Sequence, residues 1–162
     1  MTEKRKKLIV KIIILIVAIP LLCNIAYCLY IVYLLHTISV KVESEMHDSL
    51  EYVSTYAMEN EKAFMDFSEY LLSFLNEDTT YIEAEPVGEN QALRNIVFDC
   101  VGSVTAGTNA MGEISVIYRS SSDSYDTVII FMPEGYDKSS TEDENTVYIN
   151  NNMYVFVIRT RL

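Results

Sequence analysis

HTISVKVESEMHDSLEYVSTYAMENEKAFMDFSEYLLSFLN, residues 36–76, contains neither glycine nor proline and is dominated by helix-forming residues. Its apolar positions are Met46, Leu50, Val53, Ala57, Phe64, Phe67, Leu71 and Phe74, with Asn60 in the single gap. The steps between them alternate four and three, which lines them along one face of a helix. Leu35, Ser39 and Val42 extend that face upstream after one additional four-residue step. Such a stripe serves either as a seam between two chains, where Asn60 would fix the register, or as the face by which the helix packs on its own domain. Phe64, Phe67 and Phe74 are bulky for a tight two-stranded seam, so self-packing is expected over 60–75. Homodimer contacts along the stalk are expected nearer its start, over 38–57. Glu45, Asp48, Glu51, Glu59, Glu61, Asp66 and Glu69 form the solvated side.

Upstream of this segment the chain changes character. Residues 12–35 are an uncharged apolar run of 24, about 36 Å long as a helix and enough to cross a hydrocarbon core with some tilt. Lys4, Arg5, Lys6 and Lys7 precede it, and Lys11 is close enough to snorkel back to the headgroups. Tyr27, Tyr30 and Tyr33 crowd the other end, where an aromatic belt belongs. The positive-inside rule then places the N-terminus in the cytoplasm and residues 36–162 outside, in a single-pass protein of the cell membrane. A cleaved signal peptide fits less well. Cleavage requires small residues at fixed positions, and Ile25-Ala26-Tyr27-Cys28-Leu29 does not supply them. Inside the span, Pro20 removes one backbone donor and Asn24 lies one turn later. Asn24 can either serve the kink locally or hydrogen-bond to a second helix.

Downstream of the stalk, Glu85-Pro86-Val87-Gly88 reads as a turn. Leu93, Ile96, Val97, Cys100, Val101 and Val104 then follow helical spacing, with Asn90 as N-cap and Gly107 as the stop. From residue 113 the pattern becomes short β-rich runs, at 113–119, 127–132, 146–149 and 153–161. The last two flank Asn150-Asn151-Asn152, a hairpin in which asparagine would adopt positive φ. The expected fold is α+β: a transmembrane helix continuing into a long amphipathic helix, a second helix, then a four- to five-stranded antiparallel sheet. The expected divisions are a basic cap at 1–11, the span at 12–35, the stalk at 36–76, and an α+β domain at 77–162 packed on the stalk.

Charge and motifs restrict the chemistry. Of 23 acidic residues, 22 lie in 36–162, against 7 of the 12 basic ones, which leaves that region at −15. Nucleic acid is excluded as a partner, because binding it requires cations that displace phosphate counterions. There is no phosphate-binding glycine loop, no GxSxG and no HExxH. His36 and His47 have no nucleophile beside them in the sequence. Glu142-Asp143-Glu144 lacks the spaced ligands and glycine turn of a calcium loop. Cys23 and Cys28 fall in the span, so Cys100 alone is external and reads as a buried small hydrophobe, with an intermolecular bridge as the alternative. No catalytic residue, metal or cofactor is expected.

Two stretches carry a resemblance: KRKKLIVKIIILIVAIPLL from Lys4, and YLLHTISVKVESEMHDSLEYVSTYAMENEKAFMDFSEYLLSFLNEDTTY from Tyr33. Together they resemble the start of bacterial sensor histidine kinases and AraC-type regulators that carry an extracellular Cache-like, PAS-related domain. Ile19-Pro20-Leu21-Leu22, the segment Leu72-Ser73-Phe74-Leu75-Asn76-Glu77-Asp78, and GEISVIYRSSSD at 112–123 are the matching elements. The resemblance implies an extracytoplasmic sensory module, here without the second membrane helix and output domain of that family. A pilin-like subunit shares the plan of a membrane helix packed on an antiparallel sheet, but the Gly-Phe processing site and the glutamate inside the apolar segment are missing. The expectation is a non-enzymatic, membrane-anchored sensory or binding module that acts through another membrane or envelope protein. A structural subunit of an envelope assembly is the alternative.

Overall fold

The computed structural model describes residues 3–108, 113–135 and 145–160. The chain divides into two units, 1–43 and 44–162. The first is helical throughout its described length and belongs to α1 (Glu3–Glu59), which contains Pro20. Its large apolar side chains from Ile14 to Leu35 are exposed, apart from Ile31, which is half-buried.

The second unit is α+β. It comprises the end of α1, α2 (Glu61–Leu72), β1 (Tyr81–Ala84), α3 (Gln91–Cys100), β2 (Ser103–Thr108), β3 (Ile114–Ser121), β4 (Tyr125–Phe131), β5 (Thr146–Tyr148) and β6 (Met153–Arg159). The six strands form one antiparallel sheet in the order β1-β2-β3-β4-β6-β5. Because side chains alternate across a strand, one face collects the core. Val104, Tyr118, Ile129 and Val155 stand in one cross-strand row, and Ala106, Val116, Phe131 and Met153 in the next. Helical residues close over these rows: Leu50, Val53 and Ala57 from α1, Phe64, Phe67 and Leu71 from α2, and Val97 and Cys100 from α3.

Several expectations need correction. Asn60 does not continue the helical face but ends α1. Its backbone leaves the helical region at φ −113°, and its Nδ2 donates to the Tyr56 carbonyl at 3.0 Å. A carboxamide that bonds its own backbone competes with the helix ladder, and α2 restarts one residue later. α2 stops at Leu72 and does not reach Asn76. Asn76 instead makes a turn, its Oδ1 accepting from the Asp78 and Thr79 amides at 2.9 Å. Phe74 therefore lies beyond the helix, 46% exposed, with its ring edge-on to Tyr70.

The second helix is shorter than its periodicity suggests. It ends at Cys100, and Val101 is extended at φ −128°, ψ 149°. Val104 is buried as a strand residue, so its helical spacing from Val97 is coincidental. Gly107 is no helix stop. It sits in β2, where a Cβ would come within 3.1 Å of the Thr80 carbonyl, so glycine admits β1 alongside. Asn90 precedes α3 in the left-handed region at φ 57°, and its side chain makes no capping bond. The three asparagines at 150–152 use no positive φ. Asn150 Oδ1 accepts from the Asn152 amide at 2.7 Å, while Asn152 Nδ2 donates to the carbonyls of Met132 and Pro133. The acidic run 142–144 lies outside the described residues.

Candidate functional site

In the first unit, Arg5 is exposed on α1; the side chains of Lys4, Lys6 and Lys7 lie outside the described residues. Tyr27, Tyr30 and Tyr33 are 65, 59 and 67% exposed. Among the described residues, one helix is long and apolar enough to cross a membrane. Asn24 is exposed in the middle of this apolar run. Its Oδ1 accepts from the Cys28 thiol at 3.6 Å, toward the C-terminal side and away from Pro20. The side chain therefore does not serve the carbonyl that the proline leaves without a donor.

In the second unit the sequence-assigned face is brought together against the sheet. Leu50, Val53, Ala57, Phe64, Phe67 and Leu71 are buried, and Met46 is half-buried against the same core. From Leu50 onward these positions are occupied by the chain's own domain. Within 38–57, Leu50, Val53 and Ala57 are covered by the chain's own core, while Glu51, Tyr52 and Thr55 stay exposed.

Polar groups under the helices are tied down individually. The Tyr118 hydroxyl donates to the Phe64 carbonyl at 3.0 Å and is paired with the Ser68 hydroxyl, fixing α2 to β3. Ser49 and Thr127 share a 2.7 Å hydrogen bond that links α1 to β4. Arg94, 8% exposed, donates to the carbonyls of Glu85 and Glu89 and lies 5.4 Å over the Phe67 ring. It holds the 85–90 loop on the core, and the Cα of Gly88 lies so close that an added Cβ would be 3.3 Å from the guanidinium. Arg94 is the lone arginine inside the apolar pattern of α3, and a charged side chain at such a position is the signal in the sequence that marks it.

Three weakly acidic groups of this core, Cys100, Tyr118 and Tyr56, are shifted toward their neutral forms. Burial, with Asp99 nearby, pushes the Cys100 thiol up to about 12, so it stays protonated and unreactive at physiological pH. Burial also raises Tyr118. Tyr56, which donates to the Ile96 carbonyl at 3.0 Å, is pushed up to about 12 by desolvation and by Asp99. His36 and His47 are both exposed. Among the described residues no group of three His, Cys, Asp or Glu could hold a metal ion. One accessible, shallow depression runs along α1, lined by Asp48, Glu51, Tyr52, Thr55, Tyr56 and Glu59. Two aromatic rings, Tyr52 and Tyr56, lie 6.2 Å apart in it among three carboxylates. It can take a cationic or amphipathic group, and it has no nucleophile–base pair.

No protein-family model, curated protein or solved structure matches this chain.

Proposed function

We propose that the protein is a membrane-anchored, extracytoplasmic sensory or binding module, non-enzymatic, that acts through a partner in the membrane or envelope. The observation that carries this reading is that one helix, α1, supplies both an apolar stretch long enough to span a bilayer and three core side chains of the folded domain. A ligand or partner would act by binding two arrangements of that domain with different affinity, since only differential binding shifts an equilibrium. The acidic surface with its tyrosine pair favours a cationic peptide or small molecule over any polyanion.

Topology is the test. Val87 is 77% exposed in the loop before α3. With Cys23, Cys28 and Cys100 replaced by alanine, Val87→Cys should react with a membrane-impermeant maleimide on intact cells. Labelling only after lysis would overturn the extracytoplasmic placement.

The second reading, a pilin-like or secretion-associated structural subunit, is favoured by the packing of α1 and α2 on one face of an antiparallel sheet. Cross-linking of full-length protein in its native membrane separates the two. A regular ladder of multimers with envelope proteins supports the subunit, and a discrete low-order species supports the module.

A further inference from the structure

We propose that two copies of this chain associate side by side within the bilayer through Asn24, whose carboxamides pair with one another across a parallel helix dimer. The inference rests on the membrane-anchor reading of α1.

Asn24 is the one carboxamide in the apolar run 12–35. Its side chain is exposed, and the only hydrogen bond it makes among the described residues is the one its oxygen accepts from the Cys28 thiol. That bond uses the oxygen and leaves the amide N–H donors without an acceptor among the described residues. In water that would mean nothing, but hydrocarbon offers no acceptor, and an unpaired polar group there is costly. Pro20 does not resolve the problem, because the asparagine turns toward Cys28 and not toward the proline's side of the helix.

The occupant follows from chemistry and symmetry. A carboxamide carries both donor and acceptor, so it is complementary to itself. Two copies inserted with the same topology bring Asn24 to the same depth, and a two-fold axis parallel to the membrane normal lets each donate to the other. A different protein would need its own polar residue at that depth and orientation. The stalk offers no competing seam from Leu50 onward, since that face is buried in the chain's own core.

The chain carries its own probes. Cys23 and Cys28 are both exposed free thiols. On an α-helix Cys28 lies about 40° around from Asn24 and Cys23 about 100°, so only Cys28 shares the proposed seam. Full-length protein is reconstituted into phosphatidylcholine–phosphatidylglycerol vesicles over a series of lipid dilutions and oxidised with copper phenanthroline. The Cys23→Ala variant, which retains Cys28, should cross-link to a dimer, and the Cys28→Ala variant should give at least fivefold less. Adding Asn24→Leu to the Cys28-bearing protein should cut the yield roughly tenfold, whereas Asn24→Gln, which keeps donor and acceptor, should retain it. Equal yields from the two cysteines, an Asn24→Leu yield equal to wild type, or a monomer at every dilution would each overturn the pairing. Protein that fails to float with the vesicles would overturn the anchor and the pairing together, whereas a floating monomer overturns the pairing alone.

Discussion

Phe67 shows how much of the domain hangs on single side chains. It is fully buried, it meets Phe98 edge-on at 6.5 Å, and it supports the Arg94 guanidinium. Phe67→Ala should destabilise the 36–162 fragment by about 3–5 kcal/mol, a large part of the 5–15 kcal/mol typical of a small domain. Phe74→Ala should cost less than about 1 kcal/mol, because nearly half of that ring is already in water. Denaturant midpoints for the two variants check the contrast, and equal losses would contradict the packing. Cys100 gives a second prediction. Its thiol titrates near 9.0 when unperturbed and at about 12 in the fold, so above about pH 9 the unfolded chain releases a proton that the folded chain retains. Its contribution is therefore complete below pH 9.0 and is lost as pH rises toward 12. Thermal midpoints should begin to fall above pH 9 in the wild type. In Cys100→Ala the decline should begin nearer pH 10.0, where the buried Tyr118 takes over. Onset at the same pH in both proteins would rule out the thiol as the cause.

Among the elements, the junction between α1 and α2 separates two readings of the same residue. If Asn60 filled a gap in an uninterrupted apolar face, Asn60→Leu would complete the face and stabilise the protein. In the structure its carboxamide bonds the Tyr56 carbonyl, and its own carbonyl accepts from the amides of Ala63 and Phe64. Asn60→Leu should therefore destabilise the fragment by about 1 kcal/mol despite leucine's better helix propensity. Urea midpoints decide it, and a rise would restore the uninterrupted helix. This junction also shows what was legible in the sequence. Heptad spacing located the buried side chains from Leu50 to Leu71, because burial follows side-chain direction, and a one-residue break preserves direction closely enough. It could not reveal the break itself, which depends on where one carboxamide points. Strands β3, β4, β5 and β6 were readable from their β-branched and aromatic runs. β1 was not, since Tyr81–Ala84 is four residues long and only Ala84 is buried. The change from α3 to β2 was hidden because Val101, extended just before β2, and Val104, within it, reach the core while keeping helical intervals. Of the surface features, the acidic depression was invisible as a site, its carboxylates being indistinguishable from those of any solvated helix face.

For the whole molecule, the helical face from Leu50 to Leu71 lies against its own sheet, so the domain should be stable as a monomer. Denaturant midpoints of the 36–162 fragment should coincide at two protein concentrations about a hundredfold apart. A midpoint that rises with concentration would show that a second copy contributes to the core. The net charge of −15 on residues 36–162 adds a salt dependence of known sign. Self-repulsion in a compact acidic domain is screened by ions, so moderate sodium chloride should raise stability slightly.

The position of β6 has a consequence for how the protein is made. β6 pairs with β4 on one side and β5 on the other, and Met153, Val155 and Val157 complete the floor of the core. Leu50 and Val53, which rest on that core, emerge from the ribosome about 100 residues earlier, a delay of roughly 5–20 seconds at ordinary elongation rates. Throughout that interval the amphipathic half of α1 is uncovered, directly behind an apolar stretch long enough to span a bilayer. An apolar face left open for that long is the kind of surface that holding chaperones bind, and the core is completed only once β6 has been made.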